Sequence, residues 1–407
     1  MSRFIINGGK RLSGEIAVSG SKNAALPIIF ACIVTRGVSR LYGVPDISDV
    51  RVALQILRSL GAVVYKQGDA LCIDTTELEY RIPDTEHVSS IRASSYLLGA
   101  ALSRFGRTRI QSFGGCNFDN RPIDMHIDAM ISLGAVVDGD EICCNRLLGG
   151  EIRFEKISVG ATVNALILAA TAEGVSKIYG YAREPHVIAL VDFLISAGAD
   201  IHLFDEYILV VGRRLHGGSL RIIPDMIEAG TYLILSVATD SRLKICGVEP
   251  SHLESLFKLL RYGGVSLYFD GKTVKNGCSL TEPLTVVTSP YPSFPTDLQP
   301  QMASLLALSQ GGVIREQVWH SRFGYLSELE KFGVKYRLDS DAATVFPSNL
   351  KSAHARAVDL RGGAALIIAA LSTHGESIIE SAEIIERGYE NIVEKLSAVG
   401  AEIIKIN

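Results

Sequence analysis

Cys116 follows two glycines and stands five residues before Arg121. Glycines let a loop bring its backbone close to a ligand, and a neighbouring guanidinium favours the thiolate, so this thiol is placed to exchange protons with a substrate. A cysteine packed in a core cannot do that. A second set of candidates carries charge. Six apolar, alanine-rich stretches open on polar residues at or near Lys22-Asn23, Arg92, Ser158, Glu228, Asp297 and Arg361. A helix start exposes unpaired N–H groups and the positive end of the dipole, so starts reinforced by Lys22, Arg92 and Arg361 predict an anion site. Polar residues also serve as helix caps, and Asp297, in a proline-rich turn, fits either reading.

The elements that must position these residues form a hidden repeat. Leu60-Gly61-Ala62, Leu133-Gly134-Ala135, Ala197-Gly198-Ala199, Tyr262-Gly263-Gly264, Phe332-Gly333-Val334 and Val399-Gly400-Ala401 each end a helical pattern and open an alternating strand. Their glycines, taken as 61, 134, 198, 263, 333 and 400, lie 73, 64, 65, 70 and 67 residues apart. Glycine there suits the left-handed residue that closes a helix. The six polar helix starts interleave with this series at spacings of 70, 66, 70, 69 and 64. Stretches such as Val163 to Ala172 are apolar all round, which predicts helices buried in a core. The expectation is an α/β protein of six pseudo-repeats of about 68 residues, three to a domain, with sheets outside and apolar helices inside. The domains are expected at 22–223 and at 1–21 plus 224–407, with a double crossover between them and the strand Arg3 to Asn7 completing the second.

Composition narrows the function. A net charge of -4 and 21% charged residues predict no nucleic-acid or membrane partner. The longest apolar stretch, Ala24 to Val34, is too short to span a bilayer and the first residues lack a signal-peptide pattern, so a cytoplasmic location is expected. Seven cysteines without paired CxxC spacing suit neither a disulfide framework nor a zinc site. No metal and no cofactor are expected. Neither GxGxxG nor a Walker motif stands where a nucleotide-binding fold would need it.

Gly20-Ser21-Lys22-Asn23-Ala24-Ala25-Leu26, Gly114-Gly115-Cys116, Arg121-Pro122-Ile123-Asp124-Met125-His126, Lys156-Ile157-Ser158-Val159-Gly160, Phe294-Pro295-Thr296-Asp297-Leu298-Gln299, Asp359-Leu360-Arg361 and Arg387-Gly388-Tyr389-Glu390 resemble, in order, the UDP-N-acetylglucosamine 1-carboxyvinyltransferase family. The shikimate-type enolpyruvyl transferases share the fold but lack the Gly-Gly-Cys loop. The resemblance implies the two-domain inside-out α/β barrel of the enolpyruvyl transferases. It also implies transfer of the enolpyruvyl group of phosphoenolpyruvate to the 3'-hydroxyl of UDP-N-acetylglucosamine, with release of phosphate, as the first committed step of peptidoglycan synthesis.

The roles the resemblance implies follow its motifs. Cys116 is the general acid to phosphoenolpyruvate and the target of a fosfomycin-type epoxide; Asp297, Lys22 and Arg387 complete the catalytic set. Lys22, Asn23, Arg121, Arg322, Arg361 and Arg387 hold phosphoenolpyruvate. Arg92, Arg121, Pro122, Ile123, Asp124, Met125, Lys156, Ser158, Val159, Gly160, Asp297 and Val318 hold the nucleotide sugar. The expected order is nucleotide first, then closure over phosphoenolpyruvate. His126 reads as a substrate-side or structural residue. The chain departs from the family pattern at Asp119, Met226 and Val318-Trp319-His320-Ser321-Arg322, all flanking loops expected to touch the nucleotide sugar.

Overall fold

Helices appear at each of the six alanine-rich stretches, and their first turns show why the polar residues are there. The computed structural model describes residues 2–83, 85–111, 113–114 and 122–407. Helix α1 (Lys22–Ala31) is capped by Ser21, whose Oγ accepts the Ala24 N–H at 3.4 Å. Helix α2 (Tyr96–Phe105) is entered through a 3-10 turn, Arg92–Ser95. Helix α3 (Val159–Ala169) is capped by Ser158, and α4 (Met226–Ala238) by Asp225, whose Oδ1 accepts from Ile227 and Glu228 N–H. Helix α5 (Gln299–Ala307) again follows a 3-10 turn, Thr296–Leu298, and α6 (Leu360–Leu371) is capped by Asp359. The second helix of each set of three thus begins on a tight turn and the others on a side-chain cap.

Burial follows the apolar pattern. All twelve residues of α6 are buried. By contrast, the helix Ser48–Ser59 buries one face, through Val50, Ala53, Leu54, Ile56 and Leu57. Each fully buried leucine or isoleucine contributes roughly 1.5–3 kcal/mol, so the all-round apolar helices form the cores and the amphipathic ones lie over them.

Six sheets accompany the helices among the described residues, five of four strands and one of three. Each four-stranded sheet joins antiparallel pairs to one parallel strand. For α3, α5 and α6 the parallel strand is the one immediately before the helix: Glu151–Arg153 pairs with Val175–Tyr179, Leu284–Thr288 with Gly312–Glu316, and His354–Arg356 with Gly375–Glu380. For α1 and α4 the leading strands are exchanged. Glu15–Ala17 precedes α1 but pairs with Lys244–Cys246, after α4; Ser219–Arg221 precedes α4 but pairs with Val38–Tyr42, after α1. The strand Arg3–Gly8 lies between Gly375–Glu380 and Glu402–Ile406.

The chain divides into two compact lobes. Residues 20–114 and 122–223 belong to the first lobe, and residues 2–19 and 224–407 to the second. Each has its own hydrophobic core. In the first lobe the Ser21 N–H reaches the Ile223 carbonyl at 2.7 Å; in the second the Asp225 N–H reaches the Ser19 carbonyl at 2.9 Å.

The helix-closing glycines hold the left-handed conformation at Gly61, Gly134, Gly198, Gly333 and Gly400, with φ between 94° and 99°. In the fourth repeat the residue is Gly264 (φ 89°), while Gly263 sits at φ -76°, one position away from the sequence expectation. The flanking spacings become 264 − 198 = 66 and 333 − 264 = 69, which makes the period more even. Gly263 is constrained differently: a Cβ there would lie 2.1 Å from the Leu280 side chain.

Glu228, in the first turn of α4, is 1% exposed and carries the second lobe's tie to the crossing chain. Its Oε1 accepts from Lys395 Nζ (2.6 Å) and the Tyr232 hydroxyl (3.2 Å), and its Oε2 from the Ser19 N–H (2.6 Å). Burial pushes its pKa up, and Lys395 opposes the shift. Removing one partner of a buried ion pair costs about 3 kcal/mol because the other charge is left uncompensated. Lys395→Met is therefore expected to lower stability by about that amount at pH 8. The deficit should narrow at pH 5.5, because burial favours the protonated form of Glu228 and losing Lys395 removes the charge that opposes it, so the variant sheds the buried charge more readily as pH falls. Urea unfolding of wild type and variant at the two pH values measures both effects, and a deficit independent of pH would contradict them.

Candidate active site

In the second lobe α4, α5 and α6 are linked through a buried polar network near their N-terminal ends. The Thr231 hydroxyl on α4 lies 2.9 Å from the Tyr389 hydroxyl, and Gln301 Nε2 on α5 donates to both, at 3.0 and 3.2 Å. The Arg361 guanidinium on α6 sits 5.4 Å from the centroid of the Tyr389 ring. Gly388 explains how Tyr389 comes so close: a Cβ there would lie 2.7 Å from Leu360. Arg387, half-buried, precedes that glycine in the turn between Ala382–Ile385 and Ile392–Ala398.

Asp297 joins two buried arginines. Arg322 Nη1 donates to Oδ1 at 2.8 Å, and Arg361 Nε and Nη2 reach Oδ2 at 3.2 and 3.1 Å. Both arginine side chains are under 5% exposed, whereas the Asp297 side chain is 28% exposed. Burial is the largest single effect on either guanidinium and lowers its pKa, but Asp297 acting together with Asp359 and Glu316 around Arg322, and with Tyr389 and Asp225 around Arg361, more than offsets it and holds both above the usual arginine value. Of the two readings open for Asp297, helix cap or site carboxylate, the cap fails, because no side chain caps α5 or its leading turn. Arg361 Nη1 is buried and has no hydrogen-bond partner among the described residues.

Two residues missed by sequence reasoning hold this arrangement. Asp359 caps α6 by accepting from Arg361 and Gly362 N–H, both at 2.9 Å. Glu316 is fully buried at the end of its strand. Its Oε1 accepts from Thr288 and from the N–H groups of Val318 and Trp319, and its Oε2 from Thr296, whose hydroxyl in turn accepts from Arg322 Nη1. One carboxylate thus fixes the loop carrying Val318 and the turn carrying Asp297. The available signal was an acid at an inward-facing strand position, in register with buried Ile314.

In the first lobe Lys22 heads α1 and is bound to Asp49 at 2.6 Å, both side chains largely buried. Asp49, also missed, lies on the apolar face of Ser48–Ser59, where an acid is out of pattern. Asn23 is half-buried in the same first turn as Lys22. Arg92 is partly buried in the turn before α2, and burial lowers its pKa. Ser158, Val159 and Gly160 form the start of α3, with Lys156 exposed just before it. Pro122 and Ile123 lead into the helix Asp124–Ser132, which contains Met125. Cys116, Asp119 and Arg121 lie outside the described residues.

His126 is a structural residue. It is 4% exposed, and Asn164 Nδ2 lies 2.8 Å from its Nδ1. Asn164 Oδ1 accepts the Gly99 N–H, which makes Nδ2 the donor to His126 and leaves the imidazole proton on Nε2, beside Gly160. Burial, reinforced by the Arg92 charge, pushes its pKa down to about 4.

The family model described as EPSP synthase (3-phosphoshikimate 1-carboxyvinyltransferase) matches residues 6–396. The solved enolpyruvyl transferase NikO from Streptomyces tendae superposes with a TM-score of 0.87 at 28% identity, covering 100% of this chain and 99% of that one. An EPSP synthase from Acinetobacter baumannii, 16% identical with a TM-score of 0.72, shares the fold. Fold and match define an enolpyruvyl transferase. Curated relatives called UDP-N-acetylglucosamine 1-carboxyvinyltransferase, from Halothermothrix orenii and, as copy 3, from Caldanaerobacter subterraneus, are each 40% identical over 415 residues and covered end to end. The chain belongs to this family.

The depressed pKa of His126 has a consequence for stability. Because the folded state disfavours the imidazolium, stability is complete above the unfolded pKa, about 6.5, and falls as pH drops from there to about 4. The full loss is about 3 kcal/mol. His126→Gln is expected to flatten this part of the profile in urea unfolding between pH 7 and 4.5. An unchanged slope would place the titrating group elsewhere.

Proposed function

We propose that the protein transfers the enolpyruvyl group of phosphoenolpyruvate to the 3'-hydroxyl of UDP-N-acetylglucosamine and releases phosphate, in the cytoplasm, as a step of peptidoglycan synthesis. The observation that carries the anion-binding part is Arg361, a buried guanidinium with two nitrogens committed to Asp297 and Nη1 left without a hydrogen-bond partner among the described residues. Leaving such a donor unsatisfied is costly, and a substrate carboxylate or phosphate satisfies it.

In this reading Cys116 delivers a proton to the methylene carbon of phosphoenolpyruvate while the acceptor oxygen attacks the adjacent carbon. The tetrahedral adduct then returns a proton from the new methyl group to the Cys116 thiolate, the carbon–oxygen bond to phosphate breaks, phosphate leaves with the proton given up by the acceptor hydroxyl, and the enol ether re-forms on the acceptor. Asp297 orients the acceptor hydroxyl. Both its oxygens already accept from arginine, so it holds the proton by geometry more than by basicity, and an ordinary aspartate near pKa ~3.9 is a weak base at neutral pH. Lys22, Asn23, Arg121, Arg322, Arg361 and Arg387 hold phosphoenolpyruvate. The nucleotide sugar is held by Arg92, the segment 121–125, Lys156, the α3 start at Ser158 to Gly160, Asp297 and Val318. Backbone N–H groups at a helix start suit its diphosphate.

Phosphate release is expected with UDP-N-acetylglucosamine and not with shikimate 3-phosphate. Cys116→Ser should slow it at least a hundredfold. A fosfomycin-type epoxide should add to wild type but not to that variant, read by intact mass. Turnover with a different nucleotide alone would keep the chemistry and replace the acceptor; the Val318 to Arg322 loop, altered from the family pattern, is where that change would act.

Asp297→Asn separates stability from chemistry. Losing the charge between Arg322 and Arg361 is expected to cost about 3 kcal/mol of stability and to lower kcat more than it raises KM for phosphoenolpyruvate. A variant with wild-type kcat would remove Asp297 from the reaction.

A further inference from the structure

The buried helices of the first lobe have second ends, and these too converge. Val34, just after α1, Ser103 and Arg104 in the last turn of α2, and Thr171, just after α3, line one cavity of about 310 Å³. Four arginines line it as well: Arg36, Arg104, Arg213 and Arg214. Helix C-termini attract cations, each carrying roughly half a negative charge, so some arginine is expected here. The number exceeds what those ends absorb.

Two of the four have partners. Arg213 pairs with Asp200 at 3.0 Å. Arg104 is half-buried and caps loose carbonyls, with Nη1 on Thr35 O at 3.1 Å and Nη2 on Thr75 O and Thr76 O at 2.8 and 3.2 Å. Arg36 and Arg214 are exposed, and neither has an acidic partner within salt-bridge reach among the described residues. The one acid in the wall, Glu173, is held by Arg146. Burial pushes the Arg104 pKa down, and the charges of Arg36 and Arg214 push it further; Glu77 opposes them. Arg36 and Arg214 therefore repel Arg104 with only Glu77 opposing them, and neither has an acidic partner of its own among the described residues. The Ser103 hydroxyl, buried in the same wall, has no hydrogen-bond partner among the described residues.

We propose that this cavity is a second anion site, which takes a phosphate dianion, free or as a phosphomonoester, on Arg36 and Arg214 with Ser103 as the neutral partner. Two guanidinium groups above a third cation suit a doubly charged oxyanion, because each planar fork can hold two oxygens. None of these residues belongs to the set proposed for enolpyruvyl transfer, so occupancy and turnover can be measured separately.

The test is calorimetric titration of the full-length protein with inorganic phosphate, wild type against Arg36→Gln/Arg214→Gln, with circular dichroism and turnover as controls. Wild type is expected to bind one phosphate more than the double variant, which should keep its turnover, and Ser103→Ala should weaken that phosphate severalfold. Equal stoichiometry and affinity in wild type and double variant would overturn the proposal. So would crystals soaked in phosphate that show the anion only at the catalytic residues. Glucose 6-phosphate identifies the source: tighter binding than inorganic phosphate, lost in the double variant, assigns a phosphomonoester, and equal or weaker binding assigns free phosphate.

Discussion

A helix buried on every side must satisfy the free hydrogen-bonding groups at its ends, and in this protein that constraint selects the polar residues. The first three or four N–H groups of such a helix have no intrahelical partner, and in a dry core no water replaces one. Ser21, Ser158, Asp225 and Asp359 answer this directly with a side-chain oxygen. At α2 and α5 the chain instead tightens into a 3-10 turn without a side-chain cap, which leaves the Asp297 carboxylate for its two arginines; Arg92, a donor only, could not have served as a cap. The turns that forgo a cap therefore carry residues assigned to substrate. Beyond the other end of α1, Arg104 takes up the carbonyl of Thr35, which follows the 3-10 turn Cys32–Val34, and that of Thr75, which follows the strand Ala70–Asp74.

The second lobe's charged cluster rests on the same economy of partners. Two buried guanidinium groups would be untenable alone, since each buried charge costs several kcal/mol without a partner. Asp297 holds both, and it is the most exposed of the three. Glu316 makes that geometry rigid without touching a ligand. By gathering two loop N–H groups and two hydroxyls on one buried carboxylate, it couples the position of Val318 to that of Asp297. A substitution in the Val318 to Arg322 loop thus acts on a backbone already pinned at one end, which limits its effect to the side chains presented.

The repeat was legible because it is written in strong signals: a left-handed glycine after each amphipathic helix and an all-round apolar stretch in each period. The fourth glycine was read one position early because Gly263 and Gly264 are adjacent and only backbone angle separates them; one is small for packing, the other for conformation. The helix starts of the candidate site were legible, as at Lys22, Ser158 and Arg361. It was illegible where the partner comes from a distant element. Asp49 and Glu316 each break a local hydrophobic pattern, but pattern alone does not say which cation or loop an out-of-place acid will meet. The role of His126 depended on burial and on the orientation of Asn164, thirty-eight residues away.

The exchanged leading strands place a further demand on the chain. The first lobe draws on one run, 20–223, apart from residues 84, 112 and 115–121, which the structure does not describe. The second lobe needs residues from both ends, and Arg3–Gly8 is an inner strand of its sheet, paired on both edges with segments after residue 374. Closing a loop about ten times longer than a local one adds only about 2 kcal/mol of entropy. Two ladders of backbone hydrogen bonds and the burial of Phe4 and Ile6 offset a cost of that size. Distance along the chain is therefore a kinetic constraint more than a thermodynamic one. The last sheet is not complete until the final strand exists, and until then Arg3–Gly8 can pair on one edge only, with Gly375–Glu380. Ser19, tied to Glu228 and Lys395, anchors this same N-terminal segment at its other end, within the second lobe's own core.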